Sequence, residues 1–76
     1  MYRIKLVRSP LSISSNSLGT DALNSIARIA GVHDCSIIDE TEDYVLMEYN
    51  ISNLENTPTN IATHLLRFGV MRADNE

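Results

Sequence analysis

One cysteine, two histidines and a short acidic run are the side chains that raise the question of metal or nucleophile chemistry. Cys35 is the one soft ligand, and His33 precedes it by two positions, so on a regular strand both project from one face. A sulfur and an imidazole nitrogen so placed offer part of a site for Cu(I) or Zn(II), with a third ligand from a second chain. The packing reading of Cys35 is preferred, because free cysteine behaves as a small buried hydrophobe. No metal site and no cofactor are therefore assigned. Met47 falls on the expected core face of its strand, and His64 flanks the apolar stripe of a helix, where a partly exposed surface histidine is expected. Asp39, Glu40, Glu42 and Asp43 lack the ligand spacing and central glycine of a calcium loop and read as a solvated hairpin turn. Serines are plentiful, but no Gly-x-Ser-x-Gly elbow occurs, so acyl chemistry has no anchor and the chain is read as non-enzymatic.

The composition narrows the partners. Six Lys and Arg against ten Asp and Glu leave a net charge of −4. That disfavours sequence-independent nucleic-acid binding, which depends on neutralising phosphates. A single cysteine excludes an internal disulfide. No apolar run approaches the roughly 18 residues of a membrane helix, and MYRIKLVRSPL alternates basic and apolar residues where a secretory signal would be continuously apolar. A cytoplasmic setting is expected. At 76 residues the chain is read as one domain, 1–76, able to build a single core.

The elements that must position these residues follow from periodicity. Tyr2 to Val7 alternates, with Tyr2, Ile4 and Leu6 facing a core and Arg3, Lys5 and Val7 facing out. Ser9-Pro10 breaks the strand, and Ser12 to Gly19 is read as a loop. Leu18, Ala22, Ile26, Ile29 and Ala30 have helical spacing, with Gly31 at the C-cap position. Val32 to Ile38 and Tyr44 to Tyr49 read as a hairpin about the turn Asp39 to Asp43, with Val45, Met47 and Tyr49 on one face. Thr57-Pro58 opens a second helix carrying Ile61, Ala62, Leu65 and Phe68; Gly69 closes it, and Val70 to Ala73 forms a short last strand. The order βαββαβ predicts an α+β, ferredoxin-like sandwich: a four-stranded antiparallel sheet of order 4-1-3-2 with two helices on one face.

Two stretches, ALNSIARIAGVHDCSII and NIATHLLRFGV, give Ile13 to Val70 a resemblance to a heavy-metal-associated domain. This is the fold of copper chaperones and of the N-terminal modules of copper-transporting ATPases. The family's chemistry sits in a Met-x-Cys-x-x-Cys loop before the first helix, whose two thiolates hold Cu(I). Counting back from Gly31 at the family's usual helix length aligns Ile13 with the methionine, Ser15 with the first cysteine and Leu18 with the second. Neither residue aligned with a cysteine is a thiol. The resemblance implies a frame kept without its metal loop.

The remaining candidate surface is the open face of the sheet, where Arg3 and Lys5 lie beside Tyr44 and Leu46. An RNA-recognition sheet also displays aromatic and basic residues, but one tyrosine and the wrong net charge argue against that use. Apolar side chains grouped on a sheet face mark a protein contact. The expected function is a small non-enzymatic binding module that docks another protein, or pairs with itself, through this face or the 12–18 loop. The alternative is a metal-handling protein using Cys35 and non-standard ligands.

Overall fold

The apolar-basic alternation at the N-terminus folds as strand β1, Tyr2–Val7, with Ile4 and Leu6 fully buried. The structure is a computed structural model and describes residues 1–9, 17–52 and 58–76. Helix α1 (Leu18–Ala27) buries Leu18, Ala22 and Ile26, and helix α2 (Pro58–Leu65) buries Ile61, Ala62 and Leu65. Strands β2 (Val32–Glu40), β3 (Tyr44–Ile51) and β4 (Arg72–Asn75) complete an α+β chain. The strands form one antiparallel sheet of order β2-β3-β1-β4, which read from the β4 edge is β4-β1-β3-β2.

On β3, Val45, Met47 and Tyr49 are fully buried and join Ile4, Leu6 and the apolar stripes of both helices in a single core. Among the described residues the sheet is therefore packed on one face only, as antiparallel sheets commonly are. Burying these side chains is the main favourable term in folding, at about 1.5–3 kcal/mol for each large one.

Several boundaries differ from the sequence reading, each for a local reason. Of the loop expected from Ser12 to Gly19, residues 12–16 lie outside the described residues, while Leu18 and Gly19 belong to the first turn of α1 and are buried. A methyl group at Gly19 would come within 2.9 Å of the Glu40 carboxylate, so the smallest residue lets that side chain rest on the helix. Gly31 is not the C-cap of α1: the helix stops at Ala27, with Arg28 as its cap. Gly31 instead turns left-handed (φ 86°) and accepts hydrogen bonds from the Ser52 backbone N–H at 2.7 Å and hydroxyl at 3.1 Å, tying the start of β2 to the end of β3.

The acidic turn is also shorter than expected. Asp39 and Glu40 belong to β2, and Thr41 organises the remainder: its Oγ1 accepts the backbone N–H groups of Asp43 and Tyr44, each at 3.1 Å. A 3₁₀ turn, Leu66–Phe68, follows α2 and ends at Gly69, which is left-handed (φ 73°) as its position suggests. The last strand is shifted from Val70–Ala73 to Arg72–Asn75, where its pairing with β1 runs from Val7 opposite Arg72 to Ile4 opposite Asn75, and the Met71 N–H donates to the Val7 carbonyl at 2.8 Å just before it. Tyr2, expected in the core, is 43% exposed and stacks on Tyr49 from the rim, with centroids 5.7 Å apart.

Candidate functional site

The uncovered face is built from alternate residues of the two central strands. The β1–β3 register sets Arg3 opposite Glu48, Lys5 opposite Leu46 and Val7 opposite Tyr44. Arg3 Nε donates to Glu48 Oε2 at 3.1 Å, the cross-strand pair that best accounts for the charges. Lys5 Nζ sits 4.3 Å from the Tyr44 ring centroid, a cation–π contact along the diagonal. The Tyr44 hydroxyl donates to Asp39 Oδ2 at 2.7 Å, so the ring is held at both its face and its tip. Arg72 and Asp74, beside Lys5 on β4, pair with each other at 2.7 Å. Between these charges lie Val7, Tyr44 and Leu46, all half-buried, and Ile38 on β2, which is 42% exposed. The four residues singled out in the sequence, Arg3, Lys5, Tyr44 and Leu46, are thus brought together as an ordered patch.

Cys35 and His33 are not brought together. His33 pairs with Asn50 but Ser36 pairs with Glu48, so β2 spends three steps where β3 spends two. The extra residue is a β-bulge, and it cancels the alternation that would have put both side chains on one face. Asp34 absorbs the bend with φ 57°, a conformation aspartate tolerates better than most residues. Its carboxylate accepts from Asn50 Nδ2 at 3.3 Å and from His33 Nδ1 at 2.9 Å, which holds Asp34 below the usual carboxylate range. His33 is left pointing to solvent, while Cys35 packs half-buried against the core.

Burial, with the nearby Asp34 charge, pushes the Cys35 thiol up, which disfavours the thiolate that both metal binding and nucleophilic chemistry need. Among the described residues, no three His, Cys, Asp or Glu side chains converge as ligands. Of the family-loop positions, Ile13 and Ser15 lie outside the described residues. Leu18 is 6% exposed and is part of the core.

Three groups have raised pKa values: Cys35 and Tyr49 chiefly from burial, and Tyr44 because its proton is held by Asp39. Below the ordinary thiol and phenol values of 9.0 and 10.0, all three are protonated whether the chain is folded or not. Above those values the unfolded chain ionises first. The stability they contribute is lost as pH rises through their folded values. The urea midpoint is therefore expected to decline once pH passes about 9, with the onset moved higher in Cys35→Ala. A midpoint that stays level through the phenol range would contradict these environments.

Two long-range contacts have no signal in the sequence. Arg8 Nη2 meets Glu40 Oε2 at 2.8 Å, and Arg8 Nε donates to the Thr41 carbonyl at 3.0 Å. Glu40 thereby lies over the first turn of α1, whose partial positive charge it complements. Ser17, in turn, makes no backbone cap and directs its hydroxyl to Asp21 Oδ2 at 3.0 Å. The second contact joins the helices: Ser25 Oγ and His64 Nε2 are 2.6 Å apart. His64 is half-buried through this bond to α1.

No family model, curated protein or solved structure matches this chain.

Proposed function

We propose that this chain is a non-enzymatic binding module, a ferredoxin-like frame similar to a heavy-metal-associated domain without its metal-binding cysteines, which docks protein through the open face of its sheet. The observation that carries the reading is the one-sided packing of the sheet among the described residues. Both helices cover the face bearing Ile4, Leu6, Val45, Met47 and Tyr49, and Val7, Tyr44, Leu46 and Ile38 lie on the other side. Tyrosine and arginine beside half-buried aliphatic groups are the mixture that recurs in protein interfaces. Because Arg3 and Tyr44 are already held by Glu48 and Asp39, a partner meets a surface whose side chains lose little further freedom on docking.

The metal-handling alternative draws less support. The bulge parts His33 from Cys35, and burial opposes ionisation of the thiol.

A double variant, Tyr44→Ala with Leu46→Asp, tests the docking reading. It is expected to keep the circular dichroism of the parent while losing at least about tenfold in association, since interface energy concentrates in a few central side chains. Sedimentation of the purified chain reads pairing with itself, and affinity capture reads a different partner. If the parent neither self-associates nor captures any protein that the variant loses, the reading fails.

A further inference from the structure

A groove of about 280 Å³ runs along α2 beside the segment that follows α1, lined by Ile29, Asn60, Ile61, Thr63, His64 and Arg67. It lies on the helical layer, away from the sheet face, and is independent of the docking reading. Four of its residues, Asn60, Thr63, His64 and Arg67, recur at helical i, i+3, i+4 and i+7 spacing and so form one polar stripe. Ile61, 1% exposed, and half-buried Ile29 give the groove an apolar floor. Small-ligand sites typically combine such a floor with a few converging polar groups.

The charges single out Arg67. Arg3, Arg8 and Arg72 are each taken up by a carboxylate, whereas Arg28 and Arg67 have no ion-pair partner among the described residues, and of these two only Arg67 lines the groove. In a chain of net charge −4, an uncompensated guanidinium at a groove is a ready counter-charge for an anion. His64 is fixed beside it by the 2.6 Å bond between Nε2 and Ser25, which leaves the other ring nitrogen for a ligand.

The Ser25–His64 pair invites a nucleophile reading, but the fold argues against one. Ser25 lies within α1, where backbone N–H groups are committed to the helix and cannot form an oxyanion hole. The bond to Ser25 positions the imidazole at the groove.

We propose that this groove binds a small organic oxyanion, a carboxylate or phosphate monoester with a compact apolar body. The oxyanion meets the Arg67 fork and the His64 ring, and the body covers Ile61 and Ile29. The guanidinium fork suits either anion in bidentate geometry.

Amide NMR of the labelled chain, titrated with benzoate and phenyl phosphate, provides the test, with benzyl alcohol and inorganic phosphate as controls. Saturable shifts are expected for residues 25–29 and 60–67 with at least one organic anion, and tighter binding of that anion than of either control. Arg67→Gln, an exposed substitution that spares the core, is expected to weaken binding about tenfold or more, as for loss of a charged hydrogen bond. The proposal is overturned by shifts that do not saturate, by equal binding of benzyl alcohol, or by unchanged affinity in Arg67→Gln.

Discussion

Met47→Ala is expected to destabilise the fold by about 2–5 kcal/mol, the range for removing a large buried aliphatic side chain. Leu46→Ala, one residue earlier on the same strand, is expected to cost less than about 1 kcal/mol, the scale of a cross-strand contact on an open face. Met47 is fully buried and lies opposite Ile4 on one neighbouring strand and Ile37 on the other. Leu46 is half-buried opposite Lys5 and Asp39. A 76-residue domain has roughly 4–11 kcal/mol in total at typical values per residue, so the first change removes a large share of stability and the second does not. Urea midpoints at constant m-value give both numbers. Equal losses at the two positions would mean that β3 does not have one buried and one open side, and the docking surface would disappear with it.

Tyr49→Phe is expected to act in the opposite direction and stabilise the chain by roughly 1–3 kcal/mol, the cost of leaving a buried donor unsatisfied. Tyr49 is fully buried, and its hydroxyl oxygen has no hydrogen-bond partner among the described residues. Phenylalanine keeps the ring, its core packing and its stack on Tyr2, and removes only the hydroxyl. A thermal or urea midpoint above that of the parent is the expected result. A lower midpoint would show that the hydroxyl is bonded in solution. Tyr49→Ala separates the two contributions, because losing the ring should cost about 3–5 kcal/mol whatever the hydroxyl does.

These two residues also show what can be read from the sequence. Val45, Met47 and Tyr49 alternate with Tyr44, Leu46 and Glu48, and that period of two assigns faces without any knowledge of partners. Ile61, Ala62 and Leu65 do the same for α2 at helical spacing, and Gly69 marks the end of the turn that follows it. The two register shifts of β2, between His33 and Ser36 and between Ile37 and Asp39, leave no comparable mark. VHDCSII has the composition of an uninterrupted strand, and the extra residues become visible only against the β3 register. Asp34 is the one available hint, since aspartate is among the few non-glycine residues that enter the left-handed region readily. Without the bulge, plain alternation sets His33 and Cys35 on one face and lends the metal alternative a geometry that the strand does not have.

The contacts between helices and loops are hidden for a different reason. Arg8 with Glu40 and Ser25 with His64 are separated by 32 and 39 residues, beyond the reach of any local pattern. Four acids in a short run look like a solvated turn, so nothing local sets Glu40 apart from its neighbours. Its place over Gly19 depends on where β2 ends and α1 begins, which only the packed sheet determines. The open-face patch is legible because it needs just the alternation of β1 and β3, whereas the groove along α2 needs the docking of two helices.

Site-specific photo-crosslinking distinguishes a sheet face that docks protein from one that does not. Leu46 replaced by p-benzoylphenylalanine puts the reactive ketone on the open sheet face, and the same replacement at Thr63 puts it on the exposed side of α2. A discrete protein adduct is expected from position 46, either with a partner or with a second copy of this chain, and none from position 63. An adduct from position 63 alone, or no adduct from position 46 under conditions where the chain is folded, would contradict docking through that face.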